Sequence, residues 1–109
     1  MRTAEKARLL RLHFSAGDRF QGQPLYEAIV DRARRLGIAG ATVFRGLEGY
    51  GETAELHRHH LLQHDEPIVV TIVDSAENLE RLIPEVEGMM ETGLIATSDV
   101  EAIRIERPA

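Results

Sequence analysis

The chain contains no cysteine, which excludes a disulfide framework, thiol catalysis and thiolate metal ligation together. It also lacks an apolar run long enough to span a membrane. The longest candidate, "PIVVTIV" from Pro67 to Val73, is the length of one strand. A basic excess is missing too. The formal charge is −5 over 109 residues, whereas a nucleic-acid-binding domain usually carries a basic footprint. No hydrophobic leader follows Met1, and "MRTAEK" runs straight into a strand pattern. The expected location is therefore cytoplasmic, without membrane insertion. No serine sits in a nucleophile elbow, no carboxylate pair is fixed by its spacing, and H-E-x-x-H does not occur. Catalysis is not expected. What remains, 43% hydrophobic and 28% charged residues, is ordinary for a globular protein. The length suits a single domain over residues 1–109.

Along the chain the hydrophobic period alternates between two and near four. "ARLLRLHFS", Ala7 to Ser15, reads as a strand in which Leu10, Leu12 and Phe14 alternate with Arg11 and His13. Pro24 suits the first turn of a helix. Leu25, Ala28, Ile29, Ala33 and Leu36 then recur at helical spacing up to a capping Gly37. "ATVFR", Ala41 to Arg45, is a second strand and Ile68 to Val73 a third. Ser75 is an N-cap. Leu79, Leu82, Ile83, Val86, Met89 and Met90 form a helical stripe ending at Gly93, interrupted by Pro84, where a kink or two abutting helical pieces are expected. Val100 to Ile105 makes a fourth strand.

The order βαββαβ predicts an α+β, ferredoxin-like domain: an antiparallel four-stranded sheet with both helices on one face. The third strand is apolar on both sides, with Ile68, Val70 and Ile72 on one and Val69 and Val73 on the other. Two helices cover only one face of such a sheet, so the other calls for a cover of its own. In so small a chain a second copy is the expected cover.

Three segments, "DRFQGQPLYEAIVDRARRLGIAGATVFRGLEGYG", "PIVVTIVDS" and "GLIATSDVEAIRI", resemble the domain of unknown function 190 family, which is PII-like. The resemblance runs from about Leu9 to Ile105 and keeps the glycines Gly37, Gly40, Gly46, Gly49 and Gly51 in order. It implies a homotrimer, adenine-nucleotide clefts between subunits, and a long T-loop between strands two and three that addresses a partner. The partner it suggests is a membrane transporter or another regulated protein. Two features depart from PII proteins. "ETGLIATSDV", Glu91 to Val100, has one glycine and no lysine where PII proteins carry a phosphate loop. Arg104 matches the first of a C-terminal basic pair, but Glu106 replaces the second. These departures speak against a PII-type triphosphate site and leave room for a nucleotide with fewer phosphates or another anion.

Candidate ligand residues follow from anion chemistry. Main-chain N–H groups in "RGLEGYG", Arg45 to Gly51, can cradle an anion, with Arg45 adding charge-assisted bonds and Tyr50 a stacking surface. The set is Arg45, Gly46, Gly49, Tyr50, Gly51, Arg11 and Arg104. The plain alternative is that these glycines only let the chain leave the sheet with positive φ. "GDRFQGQP", Gly17 to Pro24, offers the first helix's N-terminus to an anion, although Asp18 and Arg19 more often pair with neighbours. Arg32, Arg34 and Arg35 fit a solvated helical face better than a phosphate site. Within "LHRHHLLQH", His57, His60 and His64 are spaced to share a metal, and a metal-binding sensor is the alternative function. Without cysteine or a helix-borne glutamate the expectation is that no metal is held there, and that the histidines tune a partner-facing loop. His13 reads as a packed or trimer-facing residue.

Overall fold

The computed structural model describes residues 2–46, 48–50, 56–58 and 66–108. Its elements are β1 (Arg2–Ser15), β2 (Arg19–Phe20), β3 (Gln23–Pro24), α1 (Leu25–Arg35), β4 (Thr42–Arg45), β5 (Glu48–Tyr50), β6 (Leu56–Arg58), β7 (Pro67–Asp74), α2 (Ala76–Met89) and β8 (Leu94–Ile105). β4, β7, β1 and β8 form one sheet in that order, every pair antiparallel. This is the ferredoxin-like arrangement.

Alternation sets the faces. Leu10, Leu12 and Phe14 of β1 lie opposite Ile72, Val70 and Ile68 of β7, and all six are buried. Leu25, Ala28, Ile29 and Ala33 of α1 join them, with Leu79, Leu82, Val86 and Met89 of α2, in one core. The helices lie side by side. Arg32 Nη1 donates to Glu85 Oε1 at 2.6 Å, and Arg81 Nη2 reaches the Leu36 carbonyl at 3.0 Å. Arg32 is thus committed to an interhelical bond rather than to a phosphate.

The ends of α1 follow local chemistry. Pro24 precedes the helix as N-cap, one residue outside the first turn the sequence suggested. Arg32, Arg34 and Arg35 occupy the last turn, where cations complement the helix dipole. Gly37, at φ +81°, donates to Arg34 O, and Ile38 donates to Ala33 O. The two bonds make a Schellman motif with buried Ile38 as its apolar partner.

In α2 the Ser75 side chain accepts the Asn78 N–H at 3.1 Å. One α-helix runs through Pro84 from Ala76 to Met89, so the two-piece alternative does not hold. Pro84 stands on the exposed side, where water can bond the carbonyl that loses its donor.

Two elements are longer than their patterns suggest. β8 begins at Leu94, not Val100, and β1 begins at Arg2, not Ala7. Leu94 to Ser98 carries little alternating apolarity, and of these residues only Ile95 packs on the core. Main-chain pairing with Leu9 to His13 makes it a strand. Arg2 to Ala7 and Val100 to Ile105 pair with one another beyond the last β7 partner, Arg8. They form a two-stranded ribbon running past the sheet.

Candidate ligand groove

β4 pairs with β7 only from Thr42↔Thr71 to Arg45↔Ile68. Just past this pairing the Gly46 N–H donates to Pro67 O at 2.7 Å, so odd-numbered residues of β7 direct their main-chain groups toward β4. Val73, two residues beyond Thr71, does the same where β4 has already turned away. Its N–H and C=O face a groove of about 550 Å3 lined by Glu5, Ala39 to Thr42, Thr71, Val73 and Ala102 to Arg104. That volume lies within the range of small-molecule sites. The ribbon supplies one wall and the α1–β4 connection the other.

Charge within the groove is mixed. Arg104 Nη2 stands 3.8 Å from Glu5 Oε1, both side chains being more than half exposed. Asp74 lies behind the α1–β4 wall and collects three donors. Ser75 N–H reaches Oδ1 at 2.7 Å, Asn78 Nδ2 reaches Oδ1 at 2.8 Å, and Ala39 N–H reaches Oδ2 at 3.0 Å. Burial works to raise the Asp74 pKa, but the Ala39, Ser75 and Asn78 bonds and the charge of Arg104 hold it below the usual carboxylate value.

The structure separates the residues nominated from sequence. Arg11 and Arg104 share the sheet face opposite the helices by register. Arg11 lies opposite Ala96, however, eight positions along β8 from Arg104, about 26 Å away at ~3.3 Å per residue. Of the two, only Arg104 lines the groove. Arg45 has the register of the helix face, and its Nε lies 3.1 Å from Oε2 of buried Glu66. That ion pair ties together the two ends of the 46–67 segment.

Gly46 is required for a reason other than φ, which does not lie in the left-handed region. A Cβ there would stand 2.7 Å from Pro67 Cγ. Gly49 and Tyr50 lie on β5, opposite His57 and Leu56 of β6. Gly51, His60 and His64 fall outside the described residues. Among the described residues no three His, Asp or Glu side chains cluster to hold a metal. In the 17–24 segment, Asp18 Oδ2 accepts the Ser15 N–H and Arg19 Nη2 donates to Gly22 O. Asp18 and Arg19 are thus spent on their own turn. Sequence reasoning missed Glu5, Thr42, Thr71, Val73 and Asp74. The one available signal was an acidic residue ending a strand just before an N-cap serine.

Residues 7–102 match the model of the DUF190 family, described as "Uncharacterized ACR". The chain belongs to DUF190. A UPF0166 protein of Aquifex aeolicus is 42% identical over 100 residues, covering 90% of this chain and 94% of that protein. A UPF0166 protein of Methanocaldococcus jannaschii is 35% identical over 104 residues, covering 93% and 95%. This DUF190 chain also shares its fold with CPII from Thiomonas intermedia K12, a structure bound to ADP and bicarbonate. The TM-score is 0.71 at 18% identity, over 92% of this chain and 91% of the other. Among the described residues of this DUF190 chain, no helix is long and apolar enough to cross a membrane.

Proposed function

We propose that this chain is a PII-like regulatory protein without catalytic activity of its own. It assembles as a homotrimer, binds an adenine nucleotide at a cleft between subunits, and addresses a partner such as a membrane transporter through the 46–67 loop. The observation that carries the nucleotide is the Val73 main-chain edge in the groove. Its adjacent N–H and C=O match the adjacent acceptor N1 and donor N6 of adenine. Glu5 can accept from ribose hydroxyls, and Arg104 can donate to a phosphate or a smaller anion. The likeness to an ADP- and bicarbonate-bound CPII supports the same ligand class.

The trimer is supported by the sheet face that the helices leave open. Phe44, Val73 and Leu94 are exposed there, with Val69 and Leu9 between them. Regulation requires only that the nucleotide bind one state of the 46–67 segment better than another. Calorimetric titration with ATP, ADP, AMP and cyclic AMP tests the ligand. The expected result is saturable binding of at least one, weakened by Arg104→Ala. Heatless titrations with all four sink the nucleotide reading.

A further inference from the structure

The groove exists because β4 stops two residues before its register would cover Val73. Continuing the ladder past Thr42↔Thr71 would set Gly40 against Val73 and Ala39 against Asp74. In that register the main-chain groups of Gly40 would pair with Val73 and the Ala39 N–H would point away from β7. The Ala39 N–H is instead turned onto the Asp74 carboxylate, at 3.0 Å. The other carboxylate oxygen is fixed by Ser75 N–H and Asn78 Nδ2 at the start of α2. The approach of the connection is set from the other side by the Schellman turn, with Ile38 N–H on Ala33 O. A strand edge ordinarily pairs when a partner strand is in reach. Here the peptide just before the next donor, Gly40, is turned out of the orientation that a continuing strand needs.

We propose that Asp74 is the positioning residue that keeps the groove open. By capturing the Ala39 N–H it fixes that peptide out of strand orientation, keeps Gly40 from pairing with Val73, and leaves the Val73 N–H and C=O for a ligand. Asp74 does not line the groove and touches no ligand; it acts through Ala39. The idea rests on the groove being the nucleotide site, but its structural half is testable without any ligand. When the carboxylate is removed, Ala39 loses its acceptor, the connection settles against the β7 edge, and β4 lengthens to meet Val73. Gly40, open on the side where a Cβ would stand, offers no side chain to resist that approach.

The test uses Asp74→Ala, Asp74→Asn and Asn78→Ala in the full chain, with circular dichroism to verify folding. Amide hydrogen exchange at Val73 is read without ligand, and ADP affinity by calorimetry. In Asp74→Ala the Val73 amide is expected to exchange at least tenfold more slowly and ADP to bind at least tenfold more weakly. Asn78→Ala keeps the Ala39 bond and should stay within threefold of wild type in both. Asp74→Asn retains one acceptor and the side-chain volume, so it folds if Asp74→Ala does not, and it should fall between them. A merely structural loss would speed Val73 exchange, the opposite sign. Unchanged or faster exchange at Val73 in folded Asp74→Ala, or in folded Asp74→Asn if the alanine variant does not fold, overturns the proposal. If wild type binds no nucleotide, the nucleotide reading fails, and the exchange result still decides what Asp74 does.

Discussion

Phe44 gives the sharpest test of what covers the open sheet face. It sits on β4 opposite Val69, which in turn lies opposite His13, and His13 opposite Leu94. The four residues form a row across the sheet. Phe44 remains 55% exposed, and a phenylalanine carries roughly 200 Å2 of surface. About 110 Å2 is therefore free to be buried, worth about 2.5–3 kcal/mol per subunit at ~25 cal/mol per Å2. Three subunits multiply that figure, and an aspartate at this position adds the cost of desolvating a charge. Phe44→Asp should therefore move the proposed trimer to monomer at concentrations where it is otherwise fully assembled. The monomer's own stability should change by less than about 1 kcal/mol, because the ring is not in the core. Light scattering and sedimentation across a concentration series read the assembly, and urea unfolding reads the subunit. A Phe44→Asp protein that stays trimeric at the wild-type midpoint would refute the placement of this face at the interface. So would a wild type that is a monomer throughout.

Two further outcomes follow from close contacts and charge. Gly93 has φ +133° and a Cβ there would lie 2.4 Å from the His13 carbonyl oxygen. Gly93→Ala should cost more than about 2 kcal/mol in urea unfolding, and a loss under about 0.5 kcal/mol would contradict the described β1–β8 approach. The Asp74 pKa is held below the ordinary carboxylate value of 3.8, so the unfolded chain takes up this proton at a higher pH than the folded one. The stabilisation is complete above about pH 5 and is lost as pH falls from near 3.8 through the lower folded pKa. The stability difference between wild type and Asp74→Asn should shrink over that acid range, and a pH-independent difference would argue against it.

The sheet and helices were legible because burial imposes a period on the chain. Leu10, Leu12 and Phe14 against Ile68, Val70 and Ile72 is the period-two pattern of a sheet face turned to the core, and the stripe from Leu79 to Met89 has the period of a helix facing it. The first half of β8 was not legible, since its strand state comes from pairing with β1 and not from its own alternation. The groove was hidden for another reason. Glu5, Thr42, Val73 and Arg104 come from four distant segments, and what joins them is where a ladder stops. Arg11 and Arg104 look equivalent as arginines on one sheet face, yet register separates them along the sheet. Arg45 looked like an anion ligand because it precedes glycines. Its partner, buried Glu66, lies at the far end of a segment whose closure no local motif announces.

The position of β1 in the sheet also governs the order in which the molecule can fold. β1 lies between β7 and β8, the two strands of the sheet that come latest in chain order, whereas the elements that follow it directly, β2 and β3, pair only with each other. During synthesis the main-chain edges of β1 must wait through α1 and β4 before a hydrogen-bonding partner strand exists. Only long-range closures complete the sheet, which slows folding relative to a helical protein of this size. The ribbon of Arg2 to Ala7 with Val100 to Ile105 can zip only once β8 has been made, after β7 in chain order. A chain released before β8 is made would present the outer edge of β1 bare, an edge that other nascent chains can pair with.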